Sequence, residues 1–146
     1  MHTQIEARMN SRIEKTRVYN KLFDIGLTAV EEGTSNTGQQ QSEASFTVKS
    51  AKNSNYTYTI VCYDNDSSVM GITVDNTGNS MERIAHLTTE ILNDGKVSII
   101  ESYYSLPRSM RSEVQNIFSL VYDLIDEAGL PIKDEEDTTT SAGSPS

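Results

Sequence analysis

The chain carries no tryptophan, one cysteine, two histidines and three prolines in 146 residues. Each shortage excludes something. With Cys62 alone, no internal disulfide can form, and a reducing compartment such as the cytosol suits the chain. Cys62 lies in the apolar run "TIVCY", where a thiol reads as a small buried hydrophobe rather than a nucleophile. His2 and His86 stand far from each other and from Cys62, so no zinc-type ligand spacing exists. No apolar run approaches the roughly 20 residues of a membrane-spanning helix. The N-terminus also lacks the charged-then-apolar order of a signal peptide. The expected location is therefore cytoplasmic, without membrane contact.

Other chemistry is equally short of parts. "DNDSSVMG" opens like a calcium loop at Asp64 and Asp66, but Gly71 falls one residue late and the bidentate Glu is missing. Gly78 and Gly95 stand alone, with no phosphate-cradling glycine partner. The carboxylate pairs Glu31-Glu32 and Glu135-Glu136 fall on expected loop or tail, where both members stay ionised and solvated. The sequons at Asn55 and Asn65 are what chance supplies in a chain this rich in Ser and Thr. No metal and no cofactor are expected, and the chain reads as non-catalytic.

What the chain does have is negative charge, −9 in all. Such a surface repels nucleic-acid phosphates and anionic lipid and favours a basic protein partner. The one basic cluster, Arg8, Arg12, Lys15, Arg17 and Lys21, reads as a solvated helix face, so no direct nucleic-acid binding is expected.

The patterning predicts a single α+β domain over residues 11–130. Residues 1–10 form an N-terminal extension, and 131–146 a disordered acidic, Ser/Thr-rich tail. From Ser11, Val18, Leu22, Ile25 and Ala29 recur at helical spacing, with Tyr19 and Phe23 widening the stripe. Gly26 either ends this helix or sits inside one that reaches Gly33. Residues 33–45, "GTSNTGQQQSEAS", hold almost no apolar surface and read as a flexible polar loop. Three strands follow around "FTVK", "YTYTIVCY" and "VMGITV", joined by short turns as an antiparallel meander.

Residues 80–93 fit two patterns. As a helix, Met81, Ile84, Ala85, Leu87, Ile91 and Leu92 segregate to one side, with Asn79 or Ser80 as cap and Gly95 beyond the end. As a strand, Ala85, Leu87, Thr89 and Ile91 line one face, and "NDGK" becomes a hairpin turn. The helix is the expectation, because the segregation and both caps agree. "KVSIIESYY" is then a strand with Ile99, Glu101 and Tyr103 on one face and Ile100, Ser102 and Tyr104 on the other. Pro107 opens a long amphipathic helix that ends at Gly129. The expected fold is an antiparallel meander sheet with an N-terminal, a middle and a C-terminal helix packed on one face.

This order resembles the type III secretion chaperone fold, shared with YbjN-like bacterial proteins. The likeness rests on "LFDIG" passing into "LTAVEE", the three-strand meander, a middle helix, "DGKVSIIESYYSLP", and the long C-terminal helix. The resemblance implies a non-catalytic homodimer that holds a polypeptide partner in extended form across hydrophobic patches. It also implies contacts through the middle helix and the neighbouring strand, at Leu87, Ile91, Ile99 and Tyr103. Glu101 and Tyr104 join them as interface candidates from the strand's own pattern, whose surplus apolar and Tyr surface is either covered by the C-terminal helix or offered to another chain. The alternative is an acidic inhibitor or nucleic-acid mimic of phage or plasmid origin, blocking a basic nucleic-acid-binding enzyme.

Overall fold

The computed structural model describes residues 13–36, 42–63, 66–78 and 81–133. The N-terminal extension, Arg8 and Arg12 of the basic cluster, the caps Asn79 and Ser80, and residues 134–146 lie outside them. The element order is α1 (Lys15–Asp24), β1 (Ala29–Asn36), β2 (Ser42–Lys49), β3 (Tyr56–Tyr63), β4 (Met70–Asn76), β5 (Glu82–Ile91) and β6 (Val97–Tyr103). A 3-10 turn at Arg108–Met110 then leads into α2 (Arg111–Glu127). The six strands pair in sequence order, each antiparallel to the next. The α+β class and the meander agree with the sequence. The expected middle helix does not exist.

Residues 82–91 are β5. The strand pairs with β4 from Ile72↔Leu87 to Asn76↔Glu82, and with β6 from Ala85↔Tyr103 to Ile91↔Val97. A helix here would leave the ladder groups of both neighbours unpaired, whereas the strand satisfies them on both sides. Burial follows the two-residue period: Ala85, Leu87 and Thr89 are buried, Thr88 and Glu90 exposed. Met81, which belonged to the helical stripe, is 75% exposed. Ile84 is buried as well, because the register shifts beside it where Val74↔Ala85 gives way to Asp75↔Arg83. "NDGK" is the hairpin turn, with Gly95 N–H donating to the Leu92 carbonyl and Leu92 N–H to that of Lys96.

Gly26 ends the first helix. Its φ is +82°, Leu27 N–H donates to the Leu22 carbonyl at 2.9 Å, and Gly26 N–H to that of Phe23 at 3.0 Å. These are the two bonds of a Schellman closure, and Leu27 tucks into the core behind it. α2 closes the same way at Gly129 and Leu130. Val18 and Leu22 carry the buried stripe of α1, and Tyr19 meets Phe46 edge-on at 5.2 Å. Phe23 does not join that stripe; it is 78% exposed.

Two further boundaries moved. Gly33–Asn36 and Ser42–Ser45, expected in the polar loop, pair with each other from Gly33↔Ser45 to Asn36↔Ser42. Backbone groups extend a hairpin without apolar side chains once Phe46 has set the register. At the other end, Pro131–Lys133 belong to the fold: Ile132 forms a parallel bridge with Val97.

One face of the sheet carries the core. Phe46, Ile60, Ile72 and Leu87 lie in one cross-strand row, and Val48, Tyr58, Val74 and Ala85 in another. All are at most 1% exposed, and α2 covers them with Val114, Ile117, Phe118, Val121, Leu124 and Ile125. Each such aliphatic or aromatic side chain contributes about 1.5–3 kcal/mol by leaving water. A buried carboxylate pins the helix down: Glu113 in the first turn of α2 accepts from Tyr58 Oη (2.5 Å), Ser50 Oγ (2.6 Å) and Ala51 N–H (2.9 Å). Among the described residues, the helices cover only this face.

Candidate interaction surface

β6 separates two surfaces. On its helix side, Glu101 accepts hydrogen bonds from Tyr103 Oη at 2.5 Å and from Tyr122 Oη of α2 at 2.9 Å. Tyr103 leans on Phe118 with ring centroids 5.9 Å apart. Burial first, and then the bond to the Glu101 carboxylate, hold the Tyr103 phenol above its ordinary pKa. On the open side, Tyr104 Oη lies 2.8 Å from His86 Nδ1, and the two rings are tilted at 34° with centroids 5.5 Å apart.

The six residues expected at an interface therefore divide. Leu87 is buried beneath the helices, which overturns its place in a contact surface: as part of a strand rather than a middle helix it points into the core. Ile91 and Ile99 are partly buried and pack against that core. Glu101 is exposed but engaged by two tyrosines. Tyr103 and Tyr104 are 46% and 58% exposed, and Ile100 on the open side is 50% exposed. Sequence reasoning missed the His86–Tyr104 pair and the support from Phe118 and Tyr122. The strand alternative for residues 84–92 held the signal for His86, since it puts His86 opposite the apolar set.

The open face is polar, with apolar islands. Thr47, Thr59, Thr73, His86 and Ser102 form one cross-strand row over five strands. Beside it lies a depression of about 270 Å³, lined by Thr59, Val61, Tyr63, Thr73, His86 and Thr88 among others. It exists because Gly71 brings no side chain to its floor. A Cβ there would stand 3.4 Å from the Leu87 carbonyl oxygen and 3.6 Å from the Tyr63 ring. Asp75 and Arg83, paired at 2.8 Å, stand on the same face. The face thus presents hydroxyls, an imidazole and small apolar patches.

Cys62 is buried, and burial pushes its thiol up to about 12, so it stays protonated. Among the described residues, no three His, Cys, Asp or Glu side chains converge as metal ligands, and no helix is long and apolar enough to cross a membrane. The Glu113 cluster is closed, each of its groups filling another. No protein-family model, curated protein or solved structure matches the chain.

Proposed function

We propose that the chain is a non-catalytic protein-binding module, chaperone- or adaptor-like, that holds a polypeptide partner on the open sheet face and works as a cytoplasmic homodimer. The observation that carries this reading is the pair Ile100 and Tyr104, half-exposed on the open side of β6, at the margin of a face that no helix covers among the described residues. Aromatic side chains with a polar tip are characteristic of protein interfaces. The hydroxyl row and the depression at Gly71 offer hydrogen bonds and a place for a partner side chain. The charge of −9 selects basic segments by attraction. The mimic reading has less support, because Asp75, Glu101, Glu113 and Glu127 each have an internal partner.

The test is an array of immobilised extended peptides probed with the wild type and with Tyr104→Ser. Retention of peptides that mix basic and apolar residues, weakened by Tyr104→Ser, is the expected result. Binding to no peptide, or binding indifferent to the substitution, refutes the reading.

A further inference from the structure

The outer edge of β6 is set by backbone alternation. Val97 turns its N–H to the Pro131 carbonyl (2.8 Å) and its carbonyl to Lys133 N–H (2.9 Å), away from β5. Tyr104, seven residues on and of opposite parity, turns its N–H inward to the Ile84 carbonyl at 2.9 Å. Ile99, Glu101 and Tyr103 therefore face outward with both backbone groups, and among the described residues nothing pairs with them. An unpaired edge flanked by exposed Ile and Tyr side chains is a template for another strand.

The chain's own continuation does not suit it. Asp134, Glu135, Glu136 and Asp137 follow Lys133. Prolonging the parallel bridge would run these carboxylates past Glu101, where like charges oppose pairing.

We propose that the strand which completes this edge is β6 of a second copy, paired antiparallel about a two-fold axis at Ser102. Three constraints set the register. Outward residues must face outward residues, so the axis falls on Ile100, Glu101 or Ser102. An axis at Ile100 sets Tyr103 opposite the partner's Val97, in the lane Pro131–Lys133 already fill. An axis at Glu101 sets that carboxylate directly against its own copy. An axis at Ser102 clears the Val97 bridge and puts Glu101 opposite the partner's Tyr103.

The same axis puts Ile100 opposite the partner's Tyr104, so the apolar side chains of both copies adjoin in one patch that still faces the open side. The row Thr47, Thr59, Thr73, His86, Ser102 then continues across the axis into the second copy. The two open faces become one surface. This pairing takes up the homodimer of the proposed function and gives it a geometry. It is measured on the pure chain without peptide, so its failure leaves peptide binding to be judged separately.

Single cysteines read the register. In an antiparallel non-hydrogen-bonded pair the facing side chains come within disulfide reach. Buried Cys62 gives no background. Ser102→Cys is expected to form a covalent dimer under mild oxidation, whereas Ile100→Cys alone is not. Ile100→Cys mixed with Tyr104→Cys is expected to cross-link. Sedimentation of the unmodified chain should show a concentration-dependent dimer, since an interface this small sits at the weak end, roughly 1,200 Å² or less. Ser102→Asp, which sets two carboxylates on the axis, should sediment as a folded monomer with an unchanged circular dichroism spectrum. A monomer at every concentration overturns the proposal. So does Ile100→Cys self-linking in place of Ser102→Cys, or growth beyond dimers, the mark of head-to-tail pairing.

Discussion

Thr89 of β5 and Met70 of β4 are joined through one hydroxyl. Thr89 Oγ1 donates to the Met70 carbonyl at 2.8 Å and accepts the Met70 N–H at 3.1 Å, with the Val69 N–H added at 3.0 Å. The β4–β5 pairing begins only at Ile72↔Leu87, two residues beyond Met70. A buried side chain thus takes over where backbone pairing stops, and no backbone donor is stranded at the start of β4.

Thr89→Val keeps the shape and removes the hydroxyl, leaving two N–H groups and a carbonyl without it. The expected loss is about 2–3 kcal/mol, because each stranded buried group costs ~1–3 kcal/mol with partial relief from water. Thr89→Ser should lose clearly less. Urea unfolding of the three proteins decides it, and equal midpoints for Val and wild type would refute the role.

Glu113 holds α2 to the β2–β3 turn through three donors, so its removal strands Tyr58 Oη, Ser50 Oγ and Ala51 N–H together. Glu113→Ala is expected to destabilise by about 3 kcal/mol or more, within the range for breaking buried charged networks. Tyr58→Phe, which removes one donor, should lose roughly 1.5–2 kcal/mol. The double variant should fall short of the sum, since both changes remove the same bond.

Stability should decline on the alkaline side. Burial, then the bond to Glu113, hold the Tyr58 phenol above its ordinary 10.0, and burial lifts Cys62 from 9.0 to about 12. A raised folded-state pKa contributes stability that is intact below the unfolded value and lost as pH rises. The unfolded chain releases these protons first, and unfolding is favoured by up to ~1.4 kcal/mol per pH unit for each such group. The decline should begin near pH 9 with the thiol and steepen above pH 10 with the phenol. Tyr58→Phe should make the decline above pH 10 shallower in melting curves taken across this window, leaving the smaller part that the half-exposed Tyr103 phenol contributes.

Gly26→Ala isolates a backbone effect. A Cβ at Gly26 meets nothing within 4 Å, so only the φ of +82° resists the change. The expected cost is about 1 kcal/mol, set by the left-handed conformation. A Gly26→Ala protein as stable as wild type in denaturant titration would contradict the Schellman closure.

The sequence by itself determined the elements whose signals are local. Val18 and Leu22 mark α1, whereas its stop at Gly26 was one of two readings until the structure gave that residue a φ of +82°. The β-branched run Tyr56–Tyr63 is a strand under any neighbour, and the stripe from Val114 to Ile125 ends at Gly129 as a helix. The faces of β6 were legible from alternation alone. Tertiary structure decided residues 82–91, where the apolar spacing fits a helix as well as a strand. The preference came from the ladders offered by β4 and β6, each reached across a turn. It also decided that Leu87 is core, that Glu101 is held by Tyr122, and that Ile132 shields one end of β6. Periodicity records which side chains avoid water. It does not record which backbone waits to be paired, and here that unrecorded demand chose the strand and left the edge of β6 open.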